Sequence, residues 1–304
     1  MRKPRFAQSR VDGSPIHYEV DEARAAQPGQ SVTDVVLCDG VGCDGYIWKY
    51  LREALAPRYR LIHPHYRGHG RSPRPEDPSR VRVEDHAQDA LSVLADAGSE
   101  RAVFLGHSMG VQVCLETYRA EPSAVAGFVL ICGSPGHVLR SFRGSISLEP
   151  LLPRVRAAVE RSPRVFNRLV RTLIPTQLAF ALATRLEINA ELLEEPDFMP
   201  YLEGLARVDV DLFLATLAAA AEHSAIDLLP TIRTPTLVVA GDGDGFTPPA
   251  RSREMVETIP RAEILWVEGG SHTAPLERPE QVSEGVVEFL ARRVQGMSVP
   301  PSDG

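Results

Sequence analysis

The sequence predicts a protein of the α/β class, with a mostly parallel, twisted sheet that helices cover on both faces. Strand-like and helix-like segments alternate along most of the 304 residues. The strand-like segments are continuous apolar runs, which is typical of parallel strands that are buried on both faces. The alternation stops near residue 136 and resumes near residue 230, with only helix-like segments between. The pattern therefore predicts one α/β domain that carries a helical insertion.

The individual elements follow from turn signals and apolar patterning. Residues 5–20 predict a β-hairpin, because Asp12-Gly13-Ser14-Pro15 is a strong turn signal. Apolar runs predict strands at 34–38, 59–63, 102–105, 126–132, 236–240 and 263–267. The stretches between them predict helices at 46–55, 83–97, 109–120, 250–258 and 279–293.

The insertion suggests a division into core and cap. We expect residues 1–135 and 230–295 to form the core, residues 136–229 a helical cap, and residues 296–304 a disordered tail. An insertion at the carboxyl ends of the strands lies where open α/β sheets bind ligands, so the cap is expected to act as a lid. Five arginines at its beginning could face an acidic substrate or water, and we favour water: Arg140, Arg143, Arg154, Arg156 and Arg161.

The composition excludes several classes of function. A net charge of −7 argues against a nucleic-acid partner and provides no basic face for a membrane. The first residues lack the apolar core of a signal peptide, and the longest apolar stretch is half the length needed to cross a bilayer. The four cysteines show no CxxC pattern, so we expect a reduced, cytoplasmic setting. The oligomeric state is not predicted.

Ser108 lies between two glycines at a predicted strand-to-helix junction, in Gly106-His107-Ser108-Met109-Gly110. This arrangement is typical of a nucleophile elbow, a tight turn that lifts a serine hydroxyl clear of the sheet. The residues two before and two after the serine crowd each other in such a turn, so both favour glycine. Ser108 is therefore the candidate nucleophile.

A serine nucleophile needs a base, and the base needs an orienting acid. His272 is the candidate base, because it directly follows the last predicted strand in Glu268-Gly269-Gly270-Ser271-His272. The strand at 236–240 runs into a loop with two aspartates, Asp242 and Asp244. We favour Asp244, which lies deeper in that loop.

The order Ser108, Asp244, His272 is the order of nucleophile, acid and base in α/β-hydrolases. The chain resembles that family over residues 5–293, through four motifs in the family's order. These are the elbow, the loop Tyr66-Arg67-Gly68-His69-Gly70-Arg71-Ser72, the acid loop Gly241-Asp242-Gly243-Asp244 with Pro248, and the histidine loop Gly270-Ser271-His272 with Pro275-Leu276-Glu277-Arg278-Pro279. The resemblance implies the α/β-hydrolase fold with a helical cap.

The resemblance also implies an oxyanion hole made of backbone N–H groups. Met109, directly after the nucleophile, would supply one donor, and Val41 would supply the other by position. The family commonly has His-Gly in this second loop, whereas this chain has Asp39-Gly40. An anionic side chain here would oppose the developing negative charge unless it is paired or points away. Alternatively, Asp39 braces the glycine-rich loop through backbone N–H groups.

Two motifs favour a cofactor only superficially. His63, His65 and His69 offer three metal ligands, but their match to the family's loop favours a structural role, and we expect no metal. The glycine-rich run Gly40-Val41-Gly42 with Gly45 mimics a dinucleotide-binding loop without the rest of that motif, so we expect no cofactor.

These inferences predict a cofactor-independent serine hydrolase that cleaves a carboxylic ester, lactone or thioester of a small molecule through an acyl-enzyme on Ser108. The same triad could instead hydrolyse a carbon–carbon bond or perform perhydrolysis. A third interpretation is a non-catalytic ligand-binding protein on the hydrolase scaffold. The stripe of Leu212, Phe213 and Leu217 fits either packing within the cap or an acyl pocket.

Overall fold

A computed structural model describes residues 4–25, 32–140, 147–186, 189, 192–193 and 195–294. One eight-stranded sheet runs through the described part of the chain. Its strands are β1 (Arg5–Gln8), β2 (Pro15–Asp21), β3 (Asp34–Cys38), β4 (Arg60–Pro64), β5 (Ala102–His107), β6 (Val125–Ile131), β7 (Thr236–Gly241) and β8 (Ala262–Val267).

Eleven α-helices surround this sheet in the same described ranges. They are α1 (Lys49–Leu55), α2 (Val83–Asp96), α3 (Met109–Ala120), α4 (Leu152–Arg161), α5 (Pro163–Leu173), α6 (Gln177–Leu186), α7 (Glu195–Arg207), α8 (Val210–Glu222), α9 (Pro249–Thr258), α10 (Ala274–Glu277) and α11 (Pro279–Arg293). Short 3₁₀ helices occupy Tyr46–Trp48, Pro122–Ala124 and Ile226–Thr231.

The strand order is β1-β2-β4-β3-β5-β6-β7-β8. The β1–β2 and β2–β4 pairs are antiparallel, and the other neighbouring pairs are parallel. Chain order reverses at β3, which lies between β4 and β5. Open α/β sheets bind ligands outside the carboxyl ends of the strands at such a switch point. The loop after β3 and the elbow after β5 therefore begin side by side.

Two apolar clusters fill the space above and below the sheet, because successive residues of a strand point to opposite faces. On β5, Val103 and Leu105 pack with α1 and α11, whereas Ala102 and Phe104 pack with α2 and α3. Every residue of β3, β5 and β7 is buried. This two-sided burial explains why these strands appear in the sequence as continuous apolar runs.

The predicted α/β class and mostly parallel sheet are confirmed. Each predicted strand and helix of the core is present, with boundaries that differ by at most two residues except at 46–55, where Tyr46–Trp48 form a 3₁₀ helix and α1 begins at Lys49. The sequence did not predict α10, a single turn between the histidine loop and α11. In the described part of the chain, no helix is long and apolar enough to cross a membrane.

Helices α4 to α8 all come between β6 and β7, strands that are neighbours in the sheet. Helix α5 packs on α7 and α8, and α7 also packs on the 3₁₀ helix that follows the loop after β3. We keep the name cap for residues 136–229, and their division from the core at those boundaries stays a prediction. The predicted disordered tail, 296–304, lies outside the described residues.

Candidate active site

The nucleophile elbow is a sharp turn between β5 and α3. Ser108 has φ 55° and ψ −118°, a strained conformation that the surrounding structure must hold in place. A Cβ at Gly106 would lie 2.4 Å from the carbonyl oxygen of Gly110. A Cβ at Gly110 would lie 2.0 Å from the carbonyl oxygen of Cys38. Both positions therefore require glycine, and the turn presents a half-buried Ser108 at the carboxyl end of the sheet.

Three of the predicted residues meet in one hydrogen-bonded chain. The hydroxyl oxygen of Ser108 lies 2.9 Å from Nε2 of His272. Nδ1 of His272 lies 3.0 Å from Oδ2 and 3.2 Å from Oδ1 of Asp244. With its proton on Nδ1, the neutral imidazole donates to Asp244 and accepts from Ser108. This geometry is that of a nucleophile, its base and the acid that orients the base.

The acid loop holds Asp244 in place through its own backbone. The carboxylate of Asp244 accepts hydrogen bonds from the N–H groups of Phe246 and Thr247 at 2.9 and 2.8 Å, and from the hydroxyl of Thr247 at 2.6 Å. Asp242 is exposed and accepts from the N–H of Gly269 at 2.8 Å. Of the two aspartates in this loop, Asp244 is the one whose carboxylate lies within hydrogen-bond distance of the histidine.

The loop that carries His272 is fixed by the buried carboxylate of Glu277. This carboxylate accepts from the N–H of Ser271 at 2.6 Å and from its hydroxyl at 2.5 Å. It also accepts from the hydroxyl of Thr273 at 3.1 Å and from the N–H of Asn189 at 3.0 Å. Because Asn189 belongs to the cap, Glu277 connects the cap to the histidine loop.

His107, the residue before Ser108, is hydrogen-bonded to the backbone of the loop that carries His272. Its Nε2–H donates to the carbonyl oxygen of His272 at 2.9 Å. Burial, and then the neighbouring imidazole of His272, lowers the pKa of His107 to about 4. The ring is therefore neutral at physiological pH and acts as a hydrogen-bond donor to the backbone of the histidine loop.

Met109 directly follows Ser108, and Val41 belongs to the loop after β3, which passes against the elbow. Met109 is the first residue of α3, so its N–H has no acceptor within the helix and lies at the positive end of the helix dipole. A Cβ at Gly40 would lie 3.1 Å from the Cβ of Ser108, so the loop after β3 passes directly against the elbow. Val41 follows in that loop and is half-buried. The roles of Met109 and Val41 stay predictions.

His69 holds the far side of this glycine-rich loop. The N–H of Gly42 donates to Nε2 of His69 at 3.2 Å, and Nδ1–H of the same ring donates to the carbonyl oxygen of Arg67 at 2.9 Å. These two partners require a neutral ring with its proton on Nδ1. Burial lowers the pKa of His69, which keeps the ring in that form. A protonated ring could not accept from Gly42.

Asp39 is buried and fully paired with two side chains. Its carboxylate accepts from the indole N–H of Trp48 at 2.6 Å and lies 2.8 Å from Nε2 of His63. Burial alone would raise the pKa of Asp39, but the contacts with His63 and Trp48 outweigh it and lower the pKa. Among the described residues, these partners replace the backbone N–H groups that the sequence suggested for Asp39.

His63 lies on β4, and His65 and His69 lie in the loop that follows; His63 and His69 are each held by hydrogen bonds to other groups. His63 and His65, with Glu19, place three ligand-type atoms within 4.8 Å of one another. However, Nδ1 of His65 accepts from the N–H of Arg71 at 3.2 Å, so the proton of the neutral ring lies on Nε2. Nε2 of His65 could bind a metal only if its proton moved to Nδ1, and the hydrogen bond from Arg71 would then be lost. The expectation of no metal stays a prediction.

Helices α7 and α8 cover the glycine-rich loop with apolar side chains. A Cβ at Gly42 would lie 2.5 Å from Leu205 and 3.0 Å from Phe213. From the core, the half-exposed ring of Phe246 packs 5.1 Å from the ring of His272. The surroundings of Ser108 and His272 therefore include several apolar groups.

Sequence reasoning missed the residues that position the site. Glu277, Trp48 and Thr247 lie within nine residues of the groups that they hold, but their residue types alone did not indicate these contacts. His107 and His69 stood inside recognised motifs, where their residue type alone did not indicate what they bind.

The fold and this site define a hydrolase of the α/β class. The sequence model described as "alpha/beta hydrolase fold" matches residues 34–279, and the chain belongs to that family. It is an enzyme, and the interpretation as a non-catalytic binding protein is set aside.

Individual relatives agree with this assignment. The putative carbamate hydrolase RutD of Rhizobium rhizogenes is 28% identical over 265 residues, which cover 85% of this chain and 93% of the relative. The esterase RhEst1 from a Rhodococcus species is 25% identical with a TM-score of 0.72, covering 96% of this chain and 100% of the other. The enol-lactonase from Burkholderia xenovorans has a TM-score of 0.76 at 22% identity, covering 95% and 100% of the two chains, and supports the fold alone.

Proposed function

We propose that this enzyme cleaves a carboxylic ester or a related acyl compound through an acyl-enzyme on Ser108. The observation that carries the proposal is the 2.9 Å contact between the hydroxyl of Ser108 and Nε2 of His272. A serine hydroxyl is a weak nucleophile at neutral pH, and a base at this distance is what activates it. Asp244 completes the arrangement by orienting the base.

In the first half of the reaction, Ser108 attacks the substrate carbonyl while His272 accepts the hydroxyl proton. Asp244 holds the imidazole in the required tautomer and stabilises the imidazolium ion that forms. His272 then delivers the proton to the departing alkoxide, leaving the acyl group on Ser108. In the second half, His272 takes a proton from water, the water attacks the acyl-enzyme, and the free acid leaves.

The N–H groups of Met109 and Val41 would stabilise the negative charge that develops on the carbonyl oxygen. Removal of one such donor typically costs about a hundredfold or more in kcat. The bond from Gly42 to His69 supports this role, because it restrains the peptide that follows Val41. The pairing of Asp39 with His63 and Trp48 supports it as well, since a paired carboxylate opposes the oxyanion less.

Cleavage of a carbamate is the second candidate, and the relatives named putative carbamate hydrolase favour it. The same nucleophile would then form a carbamoyl-enzyme. The apolar side chains of Leu205 and Phe213 over the glycine-rich loop favour an acyl group instead. Rates with p-nitrophenyl esters of increasing acyl length, with lactones and with N-alkyl carbamates would distinguish the two.

A set of four variants tests the proposed roles. Ser108→Ala, His272→Ala and Asp244→Asn should each lower kcat/KM for a p-nitrophenyl ester by about 10⁴-fold. Asp242→Asn is the matched control, because this aspartate lies in the same loop and does not contact the histidine. Equal losses in the two aspartate variants, or full activity in Ser108→Ala, would contradict the proposal. Circular dichroism confirms that each variant is folded.

A further inference from the structure

The cap carries an exposed apolar stripe on α5, a helix with no buried residue. Val165, Leu169 and Leu173 follow one another at intervals of four residues along α5, and they are 57%, 47% and 55% exposed. Leu178, on α6, is 78% exposed. In the described part of the chain, six of the eight exposed large apolar side chains lie at α4, α5 or α6. We call this surface, Val165, Leu169, Leu173 and Leu178 together with their flanking arginines, the outer cap face.

The stretch that carries the outer cap face, residues 151–178, has a net charge of the opposite sign to that of the whole chain. Residues 151–178 contain six arginines and one glutamate, in a chain whose net charge is −7. Arg156 pairs with Glu160, and Arg171 pairs with Asp209. The remaining four make no ion pair with any described residue, and all four are exposed: Arg154, Arg161, Arg164 and Arg168.

We propose that the outer cap face docks on an anionic lipid surface. Exposed aliphatic side chains beside unpaired arginines are what a helix at the interface of an anionic bilayer presents. The apolar side chains enter the boundary between headgroups and acyl chains, while the arginines bind lipid phosphates. The net charge of the whole chain led to the expectation of no membrane partner, because a sum over all residues does not show this local reversal of sign.

The same charges disfavour a second copy of the chain as the occupant. In a two-fold symmetric dimer, each subunit would present the same patch to the other. The unpaired arginines of the two copies would then face one another across an apolar contact, with one glutamate in the segment to oppose them. A lipid surface supplies the negative charge that a second copy lacks.

The way α5 is attached to the cap favours a flat surface. Its inner side packs on α7 and α8, and the side chain of Asn167 accepts a hydrogen bond from the N–H of Val210 at 2.8 Å. Only the outer side of α5 is therefore available. A lipid surface needs only one face of a helix, and the outer side is the face that α5 leaves uncovered.

Vesicle flotation tests this proposal without any enzymatic readout. The full-length protein should float with phosphatidylglycerol vesicles and not with phosphatidylcholine vesicles, and the bound fraction should fall as salt is raised. Leu169→Glu and the double variant Arg164→Ser, Arg168→Ser should each lower the partition coefficient about tenfold or more. These positions are exposed, so folding and hydrolysis of a soluble ester should be unchanged.

Two matched controls lie away from this surface. Phe6→Glu changes an exposed aromatic residue on β1, and Arg101→Ser removes an exposed arginine before β5, so both should bind vesicles like the wild type. Equal binding to both lipids, binding to neither, or full binding by Leu169→Glu would overturn the proposal. A concentration-dependent dimer that Leu169→Glu dissociates would assign the surface to a second copy instead. None of these outcomes depends on the proposed role of Ser108.

Discussion

Oδ2 of Asp39 lies 2.8 Å from Nε2 of His63, and both side chains are closed off from solvent. The same carboxylate accepts from the indole N–H of Trp48, so three elements meet at this group: the end of β3, β4 and the 3₁₀ helix before α1. The hydroxyl of Tyr66 donates to the carbonyl oxygen of Asp39 at 3.0 Å. Asp39 therefore fixes the start of the loop that carries the proposed oxyanion donor Val41.

Substitutions of Asp39 should separate its charge from its hydrogen bonds. Asp39→Ala leaves Trp48 and His63 without their buried partner, and it should lower the free energy of unfolding by about 3 kcal/mol or more. Asp39→Asn should cost less than half as much, because an amide can accept from Trp48 and donate to the other tautomer of His63. Urea denaturation measures both values. Equal costs would show that the charge, and not the hydrogen bonding, holds this loop.

His69→Phe should reduce kcat about tenfold or more, because the N–H of Gly42 loses its acceptor and the oxyanion loop is less well positioned. The matched control is His223→Phe. His223 is also buried, and it is hydrogen-bonded to Glu116 at 2.8 Å, away from the catalytic loops. Steady-state kinetics with a soluble ester should show a loss of kcat in the first variant and unchanged kcat in the second. An equal loss in both would indicate a general effect of destabilisation.

Glu277→Gln tests whether the histidine loop needs a full carboxylate. Both oxygens of Glu277 accept hydrogen bonds, and a glutamine would turn its NH₂ group toward one of those donors. We expect a loss of about 1–3 kcal/mol in the free energy of unfolding, and a fall in kcat as His272 becomes less well positioned. Glu280→Gln, an exposed change three residues further on, should leave both values unchanged. Wild-type kcat in Glu277→Gln would contradict the positioning role.

The buried imidazole of His107 predicts how stability depends on pH. Its pKa is about 4 in the folded protein, against an ordinary value of 6.5. The unfolded chain therefore binds a proton at this residue below about pH 6.5 that the native state does not bind until about pH 4. The stabilisation is fully present above pH 6.5 and is lost as the pH falls toward 4, by about 2 kcal/mol between pH 7 and pH 5.

His107→Gln removes this titration while keeping a donor for the carbonyl oxygen of His272. Between pH 7 and pH 5, its free energy of unfolding should fall by about 2 kcal/mol less than that of the wild type. Urea denaturation at the two pH values gives this difference directly. If both proteins lose the same amount, His107 is not the buried neutral group described above.

The core fold was predictable because its signals are local. Each buried strand is a short apolar run, and the positions of Gly106 and Gly110 follow from the crowding of a single turn. The order of Ser108, Asp244 and His272 could be predicted for the same reason, since each lies in the loop that follows a recognisable strand.

The supports of the site were not predictable, because the residue type alone did not indicate which group each side chain binds. Asp39 is paired with His63 only because β3 and β4 are neighbours, and Glu277 acts on Ser271 through a helical turn that has no strong sequence signal. The outer cap face was missed for a different reason: the periodicity of α5 resembles that of a helix with a buried side, and the sequence does not show which side is covered.

Reaction with a fluorophosphonate probe tests the central claim most directly. A serine activated by a base attacks the phosphorus atom, displaces fluoride and becomes covalently phosphonylated, whereas ordinary serines do not react. Intact-mass measurement of the wild type should show a single added phosphonyl group, and peptide mapping should locate it on Ser108. Ser108→Ala should remain unlabelled while staying folded. Labelling at another residue, or undiminished labelling of Ser108→Ala, would contradict the assignment of Ser108 as the nucleophile.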